Sequence, residues 1–229
     1  AAGKENQLVV YPGASLGALS GVAVRYDGYG ASSNSILTIS NLGKLAGDAV
    51  CNNADGNNAC VLNNQAGAVA TDAVTYNANV HNDGLIVIGK PGQFQTLTVS
   101  GSLTQSGSGV LRADVDFDQL RSSRMVVQGD AVLAGAVDVL PQALLPNREL
   151  TVATVQGNST GALTAVDSPV YDYEARQAGP DTRIRVASAN FNAPSMDLEA
   201  NQSEVAGNLQ RIWDGGGNSA LAPLFAQLD

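Results

Sequence analysis

LTVSGSLTQSGSGVLRADVDFDQLRSSRMVVQGDAVLAGAVDVL, from Leu97 to Leu140, is a train of short segments in which apolar and polar residues alternate. Gly and Ser break each segment before it reaches the length of a helical face, so the pattern reads as strands. Related phrases recur on both sides: LTISNLG from Leu37, LIVIGKPG from Leu85, LTVATVQGNSTGAL from Leu150 and RIRVASANF from Arg183. One strand-plus-turn unit repeated with variable loops predicts a solenoid. In such a stack each coil buries its apolar side against its neighbours, which leaves long exposed faces and no obligatory crevice. Function is therefore to be sought on a surface.

Composition agrees with one large all-β unit. Of the 229 residues 44% are hydrophobic and only 14% are charged, with 25 glycines, so neutral polar side chains carry the solubility. The formal charge of −9 would repel a phosphate backbone, and nucleic acid is not expected as a partner. No run approaches the ~18 apolar residues of a membrane helix, and AAGKENQLVV lacks the apolar core of a signal peptide. The missing start methionine and the final LAPLFAQLD give the chain the look of an excised piece.

Three regions are expected. Residues 1–96 read as coils, loosely patterned through LVVYPG, GVAVRYDGYG and SILTISN and stretched by an insert around the cysteines. Residues 97–193 read as closely spaced coils ending in a capping sheet. Within them Pro141 and Pro146, which lack an amide donor, predict an edge connection. Such an ending is needed, because an uncapped stack exposes a strand edge that templates aggregation. Residues 194–229 change character: Leu198, Val205, Leu209, Ile212 and Trp213 recur at helical spacing, Asn201 and Glu204 suggest a cap, and Gly215, Gly216 and Gly217 a stop. A second short helix is expected, capped by Ser219, with Leu221, Leu224, Phe225 and Leu228 on one apolar face.

Cys51 and Cys60, the only cysteines, bracket the turn-rich NNADGNNA. Their closeness predicts a disulfide across a protruding loop, worth roughly 2.5–3 kcal/mol by chain entropy and suited to an oxidising compartment; the alternative is two separate thiols. A zinc site is not expected, since His81 is the only histidine and lies far along the chain.

From about Leu97 to Leu228 the chain resembles the C-terminal part of autotransporter passengers, the type V secreted proteins of Gram-negative bacteria. The resemblance is carried by LTVSGSLTQSGSGVLRADVDF, MVVQGDAVLAGAVDVLP, NQSEVAGNLQRIWDGGG and ALAPLFAQL in that order, and upstream by LTISNLGKLAG and VHNDGLI. One departure is Ser122, Ser123 and Arg124, where related sequences often have an Asp-containing turn. The resemblance implies a right-handed parallel β-helix with a C-terminal capping, autochaperone-like region and a short helical tail leading toward an outer-membrane barrel. It also implies display at the cell surface after passage through the periplasm and outer membrane. That barrel is the expected partner, together with a host-surface or self-association ligand.

No catalytic, cofactor or metal residues are assigned. Asp114, Asp116 and Asp118 fall at strand spacing, which would suit a calcium or acid/base site, but they read as a solvated acidic face. NNADGNNAC begins like a calcium loop and lacks the closing Glu. His81 reads as a polar turn residue, and no serine lies in GxSxG. Tyr26 and Tyr29 in RYDGYG could stack a sugar but read as packing. The expected function is a non-enzymatic stalk and folding seed with an adhesive surface. The rival is a polysaccharide-degrading β-helix, for which Arg112 with Asp114 and Asp116 is the best offer, or a stalk for an upstream catalytic domain.

Overall fold

The computed structural model describes residues 5–28, 36–53, 60–90, 92–193 and 196–229. It is a parallel β-solenoid. The N-terminal coil comprises β1 (Glu5–Val10) and β2 (Ser15–Gly28), and the next β3 (Ile36–Asn41) and β4 (Lys44–Asn53). Then come β5 (Cys60–Asn64), β6 (Val69–Thr71) and β7 (Thr75–Tyr76), followed by β8 (Asn79–Asn82), β9 (Leu85–Val87) and β10 (Thr96–Val99). The following coil holds β11 (Leu103–Gln105), β12 (Val110–Asp116), β13 (Arg121–Ser122) and β14 (Arg124–Val127); above it lie β15 (Ala131–Leu133), β16 (Ala136–Ala143) and β17 (Glu149–Val155). The stack ends in β18 (Ser159–Gly161), β19 (Thr164–Ala165) and the hairpin β20 (Tyr171–Ala178) and β21 (Asp181–Ala189), before α1 (Ala200–Asp214) and α2 (Ala222–Ala226).

A 7-stranded sheet, β1-β3-β5-β8-β11-β15-β18, makes one face. A 14-stranded sheet bends through the long β4 to make two more, one through β6, β9, β12, β16 and β19, the other through β7, β10, β14, β17, β21 and β20. Alternation along each strand sends every second residue inward, and parallel in-register pairing stacks like on like. Leu8, Ile39, Leu62, Val80, Leu103 and Ala131 form one such column. Leu45, Ala70, Ile86, Leu111 and Val137 form another. A single hydrophobic core runs from Val24 to Phe225, so the stack crosses residue 96 without a break.

One interior column is polar. Asn41, Asn64, Asn82 and Gln105 follow one another in register at the corner between the first two faces, each essentially without solvent exposure. Asn41 Nδ2 donates to Asn64 Oδ1 at 2.8 Å, Asn64 Nδ2 to Asn82 Oδ1 at 2.8 Å, and Asn82 Nδ2 to Gln105 Oε1 at 3.1 Å. The same amides donate across the corner to the carbonyls of Val69, Leu85 and Val110, and Gln105 Nε2 finishes the series on Gly109 and Ala134 oxygens. Burial of these amides is tolerable because their hydrogen-bonding capacity is spent inside the stack. Val10 lies below the ladder and Leu133 above it, so the polar column is bounded by apolar residues. Glycine two residues beyond the ladder completes the corner: a Cβ on Gly43 would meet the Tyr11 and Ala14 oxygens at 2.4 Å, and one on Gly84 the Gln65 oxygen at 2.4 Å.

The C-terminal end is closed differently on each face. On the first, β18 is short, polar and exposed, which blunts its edge. On the second, α2 packs against β16 and the Leu144 N–H donates to the Ala222 carbonyl. On the third, β21 pairs antiparallel with β17 and β20 antiparallel with β21, ending the parallel progression.

Several local expectations are corrected. Pro141 lies inside β16, opposite Val115, and not in a connection. It is tolerated because β19 reaches only Ala136 and Val137, leaving the far edge of Pro141 without a demand for a donor. Helix α1 is capped at Glu199, whose N–H donates to Gln202 Oε1 at 2.8 Å, not by Asn201 with Glu204. Of the expected stripe Trp213 is buried and Leu198 and Leu209 pack partly against the core, while Val205 and Ile212 are exposed and Ala206 is buried in addition. Asn218, not Ser219, caps the 3-10 turn Ser219–Leu221 that leads into α2.

Cys51 at the end of β4 and Cys60 at the start of β5 are joined by a disulfide, with Cα atoms 5.9 Å apart. The bond clips two successive coils; the loop it closes lies outside the described residues. Intact mass under non-reducing conditions should show both thiols consumed. The Cys51→Ser, Cys60→Ser double variant should still fold and lose no more than about 3 kcal/mol. The ladder makes a sharper demand. Asn64→Ala leaves one Asn41 amide hydrogen without its acceptor and Asn82 Oδ1 without its donor, and should cost about 2–4 kcal/mol in urea unfolding, whereas Asn41→Ala at the ladder's end should cost less. Val132→Thr on the exposed side of β15 should stay within ~0.5 kcal/mol of the parent.

Candidate functional site

The C-terminal end is where the polar and aromatic side chains converge. The chain's one tryptophan, two of its four phenylalanines and two of its six tyrosines gather there. Tyr171 and Tyr173 come from β20, Phe191 follows β21, Trp213 comes from α1 and Phe225 from α2. Trp213 and Phe225 meet at 5.2 Å with rings at 83°, and Tyr171 and Phe191 at 5.7 Å with rings at 88°. Edge-to-face geometry of this kind adds about 0.5–1.5 kcal/mol per pair beyond the area buried.

Hydrogen bonds pin the cluster. The Tyr171 hydroxyl donates to the Phe225 carbonyl at 2.7 Å, and the Tyr173 hydroxyl to Asp229 Oδ1 at 2.8 Å. Burial, with the Asp229 charge nearby, pushes both phenols well above their ordinary range, so they act as neutral donors. Gln210 of α1 accepts from the Phe191 N–H and donates to the Ala189 carbonyl, clamping the exit of β21. The segment expected as a linker is thus docked on the last coil. Leu221 and Leu228 pack partly against the core, Phe225 is fully buried and Leu224 stays exposed.

The acidic run ADVDFD is not a solvated face. Asp114 and Asp116 are 1% and 4% exposed. Asp114 Oδ1 accepts from the Gly92 N–H at 2.9 Å and from Gln142 Nε2 at 3.2 Å. Burial raises its carboxyl, and those two hydrogen bonds offset part of the rise. Asp116 accepts from the Gln119 N–H at 2.8 Å and faces Arg121 at 3.5 Å. Asp118 accepts from Ser219 Oγ at 2.6 Å and so tethers the tail. These carboxylates tie segments together: Asp114 and Asp118 bind partners from distant parts of the chain, and Asp116 closes the excursion that follows its own strand.

The other singled-out residues are separate from one another. Arg112 pairs with Asp138 at 2.6 Å and is not the partner of Asp114 or Asp116. His81 is an exposed strand residue of β8, opposite Asn63 and Thr104, and not in a turn. The Tyr26 hydroxyl accepts from Asn6 Nδ2, and Tyr29 lies outside the described residues. Among the described residues no group of three or more His, Cys, Asp or Glu is placed to hold a metal ion.

Asp114 yields a signed prediction. Its folded carboxyl titrates above its unfolded value, so its contribution to stability is full at low pH and is lost as pH rises through the folded value. Asp114→Asn keeps an oxygen acceptor for Gly92 and Gln142 and carries no charge. The variant should therefore unfold at higher denaturant than the parent at pH 7, with the gap closing as pH falls below the carboxylate range. Denaturation at pH 7 and pH 3 measures both.

A comparison with models of known protein families and another with curated proteins find no match.

Proposed function

We propose that this chain is the C-terminal passenger region of a Gram-negative autotransporter, a surface-displayed β-helical stalk that carries its own folding seed and does no chemistry of its own. The outer-membrane barrel is its partner in secretion, and its exposed faces serve adhesion or self-association.

The observation that carries this reading is the way the C-terminal end of the stack is closed. The C-terminal end is closed by a polar strand, an antiparallel hairpin and docked helices, with the aromatic cluster beneath them. Nucleation is the costly step in a one-dimensional stack, and growth then adds one coil at a time to an open edge. A chain emerging C-terminus first presents the closed end first. Strand pairing outside the cell releases free energy where no nucleotide fuel exists. The low density of charge and the short disulfide loop suit passage through a narrow pore.

Hydrogen exchange tests the seed. Amides from Leu97 to Phe191 should be protected longer than those from Gln7 to Asn82, and a fragment beginning at Gly92 should fold alone while the complementary N-terminal fragment does not. Leu133, 2% exposed at the head of the amide ladder, becomes an unpaired buried charge in Leu133→Asp, which should abolish folding of that fragment. Greater protection in the N-terminal half would defeat the proposal.

A further inference from the structure

On the outer side of the third face, two departures from the regular coil frame an open depression of about 530 Å³, within the size range of small-ligand sites. The segment between β9 and β10 contributes Phe94, the excursion between β12 and β14 contributes Leu120 and Arg121, and Arg124 opens β14. Thr96, Ser122 and Thr151 supply hydroxyl groups to its walls.

Its side chains are unlike the neutral polar residues elsewhere on the faces. Arg121 lies over the Phe94 ring, 4.6 Å from its centroid, while Asp116 holds the same guanidinium from behind, so the cation is oriented before any ligand arrives. Leu120 is 57% exposed with φ of 55°, a conformation that leucine rarely adopts, so its side chain is presented at the rim of the depression. Glu149, the carboxylate in the depression, is already taken: Arg176 binds both its oxygens at 2.8 and 2.6 Å, and Arg183 stands at 3.8 Å. Arg124 is left without an ion pair or side-chain hydrogen bond among the described residues.

We infer that this depression binds a carboxylated saccharide, with Arg124 and Arg121 receiving the carboxylate, the hydroxyls of Thr96 and Thr151 meeting sugar hydroxyls, and Leu120 meeting the apolar C–H face of the ring. A guanidinium pair matches a carboxylate in charge and in planar geometry. The net charge of −9 selects for a ligand with sparse charge: one carboxylate per sugar unit is admitted, whereas the dense charge of a polyphosphate or nucleic acid is repelled. The site stands on this geometry alone and does not depend on the folding-seed reading.

Calorimetric titration of the full chain with an unsulfated glucuronate-containing tetrasaccharide, and with its carboxyl-reduced neutral counterpart, tests the inference. The acidic sugar should bind and the neutral one should not. Arg124→Gln, which breaks no contact in the fold, should weaken binding about tenfold or more with an unchanged circular dichroism spectrum. Phe94→Ala, which removes the support under Arg121, should weaken it as well, while Arg211→Gln on α1 should have no effect. Absence of binding by the acidic sugar, equal binding of the neutral sugar, or full affinity in Arg124→Gln would each overturn the inference. So would displacement by inorganic polyphosphate at equal concentration of charge, which would mark a general attraction for anions.

Discussion

The buried amide ladder is the interaction on which the rest of this molecule depends. Apolar columns are tolerant of register, because a leucine packs nearly as well on one aliphatic neighbour as on another. Amides are not. Asn41, Asn64, Asn82 and Gln105 are satisfied only when each coil sits in one register over the last, and a slip of one residue would turn every side chain to the opposite face. The second hydrogen bond of each asparagine, to a carbonyl on the adjoining face, also fixes where the chain turns. Register and corner are therefore set by one set of side chains, and the loops are free to vary in length around them.

A stack built this way has two ends with different problems. Each internal coil buries its edges against neighbours, so only the terminal coils present unpaired backbone. At the C-terminal end the chain spends five of its eleven aromatic residues and both helices on closing that surface, and Tyr171, Gln210 and Ser219 tie the closing elements down. The ordering entropy of the tail is offset by burial of Trp213, Ala222 and Phe225. Internal coils need no such device, since hydrogen bonding to the coils above and below serves them.

Charge is organised by the same geometry. The coil faces carry few charged groups, and most arginines sit near the capped end, paired with Asp116, Asp138, Glu149, Glu174 or Asp181. Exposed pairs of this kind contribute little stability individually. Those at Arg121 and Glu149 also hold side chains in place beside β14 and β17.

The alternation of Leu97, Val99 and Leu103, the recurring strand-plus-glycine phrases and the closeness of Cys51 and Cys60 are local, and the solenoid and the disulfide pairing were legible from them in the sequence. The same local reading misplaced Asp114 and Asp116, because a strand period states which side a residue faces and not whether a neighbouring segment covers that side, as Gly92 and Gln142 do for Asp114 and Gln119 and Arg121 for Asp116. It left the amide ladder unread, since asparagines near glycine look like ordinary turn residues until register stacks them. The tail was legible as two helices by spacing. Its docking was not, because the partners of Trp213 and Phe225 lie at Tyr171 and Phe191, on strands that reach the tail only when the stack is complete. Sequence by itself determined what repeats and which side of each strand is apolar; tertiary structure decided register, cap and covering loops, since those depend on contacts between residues far apart along the chain.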